Sequence, residues 1–258
     1  MVVWTVANQK GGVGKTTSTI SLAGLLAEKG NRVLLVDTDP HASLSYYFGI
    51  ESEDLDLSVY DLFLQVSTKE QIMQSLCPTH YSNIDILPAT MGLATLDRSL
   101  GNKGGMGLVL KKAMDKIADE YDYVLIDCPP ILGVLMVNAL AACERIIVPV
   151  QTEFLALKGL DRMMKTLDIM QGEQTQPFKF TIVPTMFDKR TKASLMTYRK
   201  LQELYGEAVW PGVVPIDTNF RNASVSQKVP SDYAPSSRGI IAYSNLLKYL
   251  IHLKSVSK

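Results

Sequence analysis

The sequence predicts an α/β fold in which helices flank a mostly parallel central sheet. Several short runs are almost entirely apolar, as expected for parallel strands that are covered on both faces. Stretches with the helical spacing of apolar residues lie between these runs, which is the order of repeated βαβ units. With 258 residues, of which 47% are hydrophobic and 20% charged, the chain can bury a full core. We therefore expect a single domain over residues 1–258.

The predicted elements follow one another along the chain in a regular order. The first apolar run covers residues 2–7, and a glycine-rich turn joins it to a helical segment that opens near Thr16 and ends at Gly30. The runs 32–37 and 123–127 both end in an aspartate. The remaining strands are predicted at residues 83–88, 145–150, 178–184 and 210–216. All of these runs belong to one predicted sheet.

The turn between the first strand and the first helix has the composition of a phosphate-binding P-loop. Its glycines let backbone N–H groups point at phosphate oxygens, and the helix N-terminus adds a field that favours an anion. Lys15 is placed to reach the β- and γ-phosphates, and the Thr16 hydroxyl to bind Mg²⁺. The predicted nucleotide-binding residues are Gly11, Gly12, Val13, Gly14, Lys15, Thr16 and Thr17.

Carboxylates stand at the ends of two predicted strands. Asp37 and Asp39 follow the second strand, and Asp127 ends the strand 123–127. In α/β sheets ligands bind beyond the carboxyl ends of the strands, and carboxylate oxygens suit Mg²⁺. The run before Asp127 is typical of a Walker-B strand, whose aspartate holds the metal through a water.

The glycine loop departs from the usual P-loop pattern at two positions. Gln9 stands where that pattern has glycine, and Lys10 adds a second lysine before the glycines. One nucleotide has little use for a second lysine so close to the first, whereas a nucleotide bound by a second subunit has. This deviant Walker A loop resembles that of the ParA/MinD ATPases, in which the additional lysine acts across a dimer interface.

Other segments extend the resemblance almost from end to end of the chain. The sequences DTDP at 37–40, IDCPP at 126–130, VPVQTEFLALKGL at 148–160, TMFDKRTKAS at 185–194 and SRG at 237–239 all resemble ParA/Soj proteins. The resemblance implies a P-loop NTPase fold that uses ATP and Mg²⁺. It also implies an ATP-dependent homodimer with slow basal hydrolysis, which an adaptor protein stimulates.

Residue roles follow from this resemblance position by position. Thr17 binds the α-phosphate, and the residues assigned to the metal are Thr16, Asp39 and Asp127, with Asp37 nearby. The implied catalytic residues are Lys10, Lys15 and Asp39. In the family the residue at Asp39 orients the attacking water, and the residue at Lys10 acts on the phosphates of the partner subunit. Gly11 lies with Lys10 at the implied dimer interface, where a larger side chain blocks closure in the family.

Two loops narrow the resemblance to a subgroup. Most ParA proteins read D-P-Q-G-N after the second strand, whereas this chain reads DPHAS at 39–43. It also reads NFRNAS at 219–224, where chromosomal relatives read N-V-R-L-S-E-A. Both loops resemble the ParA-like, ParC-type proteins that place chemotaxis arrays at a cell pole. The predicted function is polar localisation of such arrays through a ParP-like adaptor and polar hub proteins; the alternative is chromosome or plasmid segregation with a ParB-like partner on the nucleoid.

Charge is distributed unevenly along the chain. Residues 1–150 hold 11 Lys and Arg against 17 Asp and Glu, a balance of −6, whereas residues 151–258 hold 15 against 9, a balance of +6. A basic half suits an anionic partner such as DNA, and a solvated surface accounts for it equally well. Arg190 and Arg221 fall where ParA relatives touch DNA non-specifically, and a salt bridge or a nucleotide contact is the alternative role for each.

The closing segment and the cysteines leave further functions open. Residues 244–254 suit a membrane-surface helix of the MinD kind, although we expect them to be the closing helix of the domain. Cys128 invites comparison with nitrogenase-reductase iron–sulfur proteins, but Cys77, Cys128 and Cys143 lack cluster spacing. Small-molecule synthesis, tyrosine phosphorylation and an ATP-binding scaffold without activity also use such a loop. Without a predicted span or signal peptide, we expect a cytoplasmic protein that is not inserted into a membrane.

Overall fold

The computed structural model describes residues 1–64, 67–96, 99, 106–172 and 177–256. Its strands are β1 (Val2–Val6), β2 (Val33–Asp37), β3 (Cys77–Pro78), β4 (Ile84–Leu87), β5 (Tyr123–Asp127), β6 (Arg145–Gln151) and β7 (Phe180–Thr185). They form one seven-stranded sheet in the order β3-β4-β2-β5-β1-β6-β7. β1, β5, β2 and β4 pair in parallel, and β3 pairs with β4 antiparallel. The predicted α/β fold with a mostly parallel sheet is confirmed.

Helices follow most of the strands. The described α-helices are α1 (Lys15–Ala27), α2 (Ser43–Tyr47), α3 (Val59–Leu64), α4 (Lys69–Gln74), α5 (Val109–Lys116), α6 (Val134–Ala142), α7 (Phe154–Gln171), α8 (Lys192–Tyr205), α9 (Asn219–Val225), α10 (Pro230–Tyr233) and α11 (Arg238–Val256). Short 3₁₀ helices lie at Ser52–Asp54, Met91–Thr95, Met106–Leu108 and Gly206–Ala208. The predicted first helix is confirmed, and Gly30 stands just beyond its end with φ of 82°.

The chain divides into two compact units, each made of separated segments. Unit 1 comprises Met1–Ala7 and Leu26–Ile146, and unit 2 comprises Asn8–Leu25 and Ile147–Lys258. The glycine loop and most of α1 therefore belong to unit 2, whereas the aspartates at the strand ends belong to unit 1. The assignment of residues 1–258 to a single ParA-like domain stays a prediction.

In unit 1 the strand ends form a row. Every residue of β1 and β2 is buried, as their continuous apolar runs predict. Val6 is in register with Asp127, and Asp127 is in register with Asp37. Two carboxylates therefore stand on neighbouring strands, at the same edge where the chain leaves β1 for the glycine loop.

In unit 2 the last helix completes the core. The inward face of α11 is buried at Ile240, Tyr243, Leu246, Leu247 and Leu250. Tyr243 also hydrogen bonds with Ser18 of α1, with 2.8 Å between the hydroxyl oxygens. The expectation that residues 244–254 belong to the closing helix of the domain is thus confirmed. None of the helices that the structure describes is long and apolar enough to cross a membrane.

The strand predicted at residues 210–216 is wrong. Pro215 within this segment makes an isolated β-bridge with Phe187, and Val209 just before it makes another with Ile182. Pro211 and Pro215 have no backbone N–H, so a continuous hydrogen-bonded ladder cannot form here. Within this segment only Trp210 and Val214 are buried, while Pro211 and Ile216 are exposed, so its apolar composition does not mark a buried strand.

Candidate nucleotide-binding site

The glycine loop owes its shape to two left-handed backbone positions. Gly12 and Gly14 have φ of 73° and 92°, a region that residues with side chains rarely adopt. Gly11 is exposed and lacks a left-handed φ, and a Cβ added there would meet no atom within 4 Å. Gly12 and Gly14 are therefore needed for the turn, whereas Gly11 leaves the outer surface of the loop open.

Polar side chains beyond the glycines hold the loop in place. The buried Asn8 amide donates to the Pro149 carbonyl at 2.7 Å, and Asn8 Oδ1 accepts from Lys10 N at 3.1 Å. Thr185 Oγ1, at the end of β7, donates to the Val13 carbonyl at 2.9 Å. Sequence reasoning missed Asn8 and Thr185. A sequence signal existed only for Asn8, because its amide side chain directly follows the first apolar run.

Lys15 occupies a buried position at the first residue of α1. Its side chain folds back over the loop, and Nζ donates to the Lys10 carbonyl at 3.2 Å. Lys15 makes no ion pair with any carboxylate in the described ranges. A buried ammonium needs a compensating negative charge, so this arrangement fits an anionic ligand.

The start of α1 supplies further donors beside Lys15. The first backbone N–H groups of a helix lack acceptors within the helix and carry its partial positive charge. Here they belong to Lys15, Thr16 and Thr17, and both threonines are partly exposed. Ser18 closes the first turn, because its N and Oγ both donate to the Gly14 carbonyl, at 2.9 Å and 2.7 Å.

Lys10 is engaged within its own chain. Its Nζ forms a hydrogen bond and ion pair with Glu153 Oε1, immediately before α7, and the two side chains are 26% and 43% exposed. Gly159 on α7 allows the approach of the lysine stem, since a Cβ there would lie 3.1 Å from Lys10 Cβ. Sequence reasoning missed Glu153, whose charge alone gave no signal of this contact.

Asp37 ends β2 as a fully buried carboxyl group. Its Oδ2 accepts from Ser45 N and Ser45 Oγ, both at 2.9 Å, and its Oδ1 accepts from Asp39 N at 3.1 Å. Burial raises the pKa of Asp37 to about 6, and the bonds from Ser45 offset part of that rise. Asp37 therefore holds the following turn in place, at the cost of a buried charge.

Asp127 and Thr38 link the ends of β5 and β2. Thr38 N and Thr38 Oγ1 both donate to the Asp127 carbonyl, at 3.0 Å and 2.7 Å. The Asp127 side chain is buried, with 2% exposure. The predicted Walker-B strand thus places its aspartate in the row of strand ends.

Asp39 lies in a tight turn after β2. Its Oδ1 accepts from His41 N at 3.0 Å and lies 2.9 Å from His41 Nδ1. Ala42 N donates to the Asp39 carbonyl at 2.8 Å, and Ala42 itself is buried with a left-handed φ of 51°. Ala42 stands where most ParA proteins have glycine, which adopts this conformation without strain.

The donor chemistry of these residues fits Mg²⁺. No cluster of three or more His, Cys, Asp or Glu side chains within the described ranges has the arrangement of a metal cage. Mg²⁺ ordinarily takes one or two protein oxygens and completes its shell with waters and phosphate oxygens. The predicted metal residues are Thr16 in unit 2 and Asp39 and Asp127 in unit 1, and their assignment to one magnesium site stays a prediction.

The two arginines predicted to touch DNA differ in their surroundings. Arg190 is 83% exposed, and its Nε and Nη2 donate to the Asp188 carboxylate at 2.9 Å and 2.7 Å. These bonds hold the pKa of Asp188 at about 2. Arg221 is exposed on α9 and makes no ion pair with a residue that the structure describes. Arg190 therefore has the predicted alternative role of a salt bridge, and Arg221 is available to a partner.

Comparisons with known proteins identify the family of this chain. The AAA domain family matches residues 1–180. The sporulation initiation inhibitor protein Soj of Bacillus subtilis is 35% identical over 244 residues, or 94% of this chain and 95% of Soj, and the chromosome partitioning protein ParA of Caulobacter vibrioides is 34% identical over 252 residues, or 96% and 93%. A structure of cobyrinic acid a,c-diamide synthase from Mycobacterium smegmatis with bound ATP analog and magnesium has a TM-score of 0.85 and 32% identity, covering 100% of this chain and 97% of that one. This chain belongs to the ParA/Soj/MinD-type family of AAA-domain P-loop ATPases.

Proposed function

We propose that this protein binds ATP with Mg²⁺ and hydrolyses it as a dimerisation switch that positions intracellular cargo. The observation that carries the proposal is Lys15, a buried cation without a carboxylate partner in the described residues, at the start of α1. The left-handed turn at Gly12 and Gly14 supports it, because such turns direct backbone N–H groups at phosphate. The solved relative with a bound ATP analog and magnesium supports the choice of ligand.

The roles of the side chains follow the needs of phosphoryl transfer, in which positioning and charge stabilisation do most of the work. Lys15 neutralises the β- and γ-phosphates, and Thr17 binds the α-phosphate. Mg²⁺, held by Thr16 and Asp127, supplies further charge neutralisation when bound. Asp39 orients the attacking water and is the remaining carboxylate of the predicted metal set.

Dimerisation makes hydrolysis conditional in this proposal. The Lys10 ammonium is held by Glu153 of its own chain in the structure. On closure of a dimer, the phosphates of the partner's nucleotide replace Glu153 as the anion that Lys10 contacts. Gly11 supports closure, since it is exposed and has open space around it. Basal turnover is then slow, and an adaptor protein stimulates it.

The test is ATP binding, dimerisation and turnover in three single variants. Lys15→Ala should weaken ATP binding about 100-fold, since losing a charged hydrogen-bond donor costs about 3 kcal/mol. Asp39→Ala should bind ATP and dimerise normally, with turnover lowered at least about 100-fold. Lys29→Ala, at an exposed lysine, is the control and should match wild type. Normal ATP affinity in Lys15→Ala, or normal turnover in Asp39→Ala, would contradict the assignment.

The cargo has two candidates, each with its own support. Relatives named for chromosome partitioning favour DNA segregation with a ParB-like partner. The DPHAS turn and the NFRNAS segment favour chemotaxis arrays, with a ParP-like adaptor at a polar hub. Stimulation of ATP turnover by purified adaptors separates them: stimulation by a ParB-like adaptor indicates segregation, and stimulation by a ParP-like adaptor indicates arrays.

Nucleoid DNA is the proposed platform for segregation, and Arg221 is the residue best placed to contact it. Binding through phosphates falls steeply with salt, and each lost phosphate contact reduces the salt slope by about one. Arg221→Ala in the Asp39→Ala background should therefore reduce both affinity and slope with ATP present. Arg190→Ala should have a smaller effect, because its guanidinium is already bonded to Asp188. Equal binding with ADP and ATP would exclude a nucleotide-controlled platform.

Small-molecule synthesis is the second candidate function, because the solved relative is named as a diamide synthase. Amide transfer through a covalent cysteine intermediate would require a reactive thiolate. Burial raises the pKa of Cys143 to about 11 and also raises the pKa of Cys77, and Cys128 is almost fully buried. The thiols of this chain are therefore poorly suited to that chemistry. ADP release that depends on an added amide donor would nevertheless favour it.

A further inference from the structure

The turn that carries Asp39 departs from the pattern of most ParA proteins at His41, and this histidine contacts Asp39 directly. His41 Nδ1 lies 2.9 Å from Asp39 Oδ1, and His41 N donates to the same oxygen at 3.0 Å. Because a carboxylate can only accept hydrogen bonds, the ring contact requires a hydrogen on Nδ1. The Nδ1–H tautomer and the imidazolium both satisfy this requirement, so the contact does not depend on the charge of the ring.

The two carboxylate oxygens of Asp39 have different surroundings. Oδ1 makes both contacts with His41, whereas Oδ2 has no hydrogen bond to any residue within the described ranges. The Asp39 side chain is 17% exposed and the His41 side chain 79%. The imidazole thus holds one oxygen from the solvent side and leaves the other available to a water.

The main chain of this turn is fixed without the imidazole. Asp39 N donates to Asp37 Oδ1 at 3.1 Å, and Ala42 N donates to the Asp39 carbonyl at 2.8 Å. Asp37 is itself fixed by two bonds from Ser45. The remaining freedom of Asp39 lies in its side-chain torsions, which the backbone N–H and the imidazole of His41 restrain together.

We propose that His41 is a positioning residue for hydrolysis, which holds Asp39 Oδ1 so that Oδ2 faces the attacking water. The inference rests on the proposed function, in which Asp39 orients that water. Its physical basis is pre-organisation: a catalytic group held near its productive geometry by a neighbouring hydrogen bond contributes more than one that rotates freely. In this proposal the histidine acts through Asp39 and not through a contact of its own with the nucleotide.

The test compares two substitutions of matched shape. Asn at position 41 keeps an N–H donor on the γ-carbon, and Leu has similar branching without a donor, while both keep the backbone N–H bond to Oδ1. His41→Leu should lower the single-turnover hydrolysis rate about tenfold with the dissociation constant of ATP unchanged, as expected for one hydrogen bond to a charged group. His41→Asn should restore the rate to within about threefold. His252→Leu, at the exposed His252 on α11, is the control and should match wild type.

The outcomes separate the inference from the function on which it rests. A wild-type rate in His41→Leu, while Asp39→Ala is inactive, overturns the role of His41 and leaves the proposed function standing. Equal slowing of the Asn and Leu variants also overturns it, because the shape of the ring would then matter and its donor would not. Full activity in Asp39→Ala contradicts the proposed function itself.

A crystal structure of His41→Leu provides a readout that needs no turnover. The Asp39 carboxylate should leave its present rotamer or occupy more than one, while the Asp37 bond to Asp39 N stays intact. An Asp39 side chain in the same single rotamer would overturn the inference, whatever the activity of the protein.

Discussion

The glycine loop and the turn after β2 both present polar groups, but backbone conformation fixes the loop and side-chain hydrogen bonds fix the turn. The loop, residues 8–14, presents backbone groups, and its shape depends on left-handed Gly12 and Gly14. The turn, residues 37–42, presents side chains, and its shape depends on the buried carboxyl of Asp37 with its partners. A turn shaped by backbone conformation, such as the glycine loop, tolerates substitutions wherever φ and space permit. A turn held by side-chain hydrogen bonds, such as residues 37–42, is disrupted when one partner is lost.

The difference also appears in the electrostatics of the two regions. Lys15 lacks a compensating charge in the described residues, so its burial is offset only when an anion binds. Asp37 is compensated in part by neutral donors from Ser45, and its pKa is still raised to about 6. A measurement that removes one charge at a time should therefore affect stability in the turn and ligand affinity in the loop.

The largest expected effect on stability is the pH dependence that Asp37 imposes. Below about pH 4 the group is protonated in both states, and it imposes no penalty. As pH rises through about 6 the folded chain must hold a buried carboxylate, so the stability gained from a raised pKa is lost. Between the ordinary value of 3.8 and about 6, the loss amounts to about 3 kcal/mol. Urea unfolding at pH 4 and pH 7 without Mg²⁺ should show this loss of stability in wild type and not in Asp37→Asn, whose side chain does not titrate.

Ser45→Ala is the matched variant for this prediction. It removes the Ser45 Oγ bond that stabilises the ionised form of Asp37. The loss of stability between pH 4 and pH 7 should therefore become larger than in wild type. A wild-type pH dependence of stability in both Asp37→Asn and Ser45→Ala would show that Asp37 is not the source of that pH dependence.

The next largest expected effect on stability comes from glycine substitutions, which test whether backbone conformation fixes the loop. Gly14→Ala forces a Cβ into a left-handed conformation and should destabilise the protein by about 1–2 kcal/mol in urea unfolding. Gly11→Ala lacks that strain and meets open space, so its change should stay within about 0.5 kcal/mol. Equal losses in the two variants would mean that the loop is held by packing and not by its φ angles.

For dimerisation, Gly11 is the glycine whose substitution should have the large effect. Gly11→Val should keep the stability of the single chain and lose the ATP-dependent dimer in sedimentation experiments, because its added side chain projects from an exposed position. A stable ATP-dependent dimer in this variant would remove Gly11 from the proposed interface.

Sequence reasoning performs well for the loop and poorly for its supports, for a physical reason. The spacing of Gly12, Gly14 and Lys15 is local, so the turn and the start of α1 were predictable from neighbouring residues. The partners Glu153 and Thr185 are more than 140 residues from the loop atoms they contact, and only folding brings them there. No local pattern marks such contacts.

The strands of the sheet also show what a local sequence pattern can and cannot predict. Continuous apolar runs predicted β1, β2 and β5 within a residue or two, since buried parallel strands need little else. The run 210–216 is also largely apolar, but its prolines lack the N–H donors of a ladder and only Trp210 and Val214 are buried, so hydrophobicity alone did not indicate a strand. The identity of cargo, adaptor and platform depends on surfaces that meet other molecules, for which one chain supplies no partner.

The smallest expected effect is on dimer affinity and concerns the ion pair of Lys10, whose side chain extends from the glycine loop. Glu153→Gln removes the cis partner of Lys10, and a partly exposed ion pair contributes about 0.5–1 kcal/mol. If Glu153 competes with the partner subunit's phosphates, the ATP-dependent dimer should tighten about 2–5-fold, measured by sedimentation in the Asp39→Ala background. Glu203→Gln, which breaks the exposed pair with Lys200, is the control and should leave the dimer unchanged. A weaker dimer in Glu153→Gln would instead mean that Glu153 orients Lys10 toward the interface, and the pair would then belong to the active form.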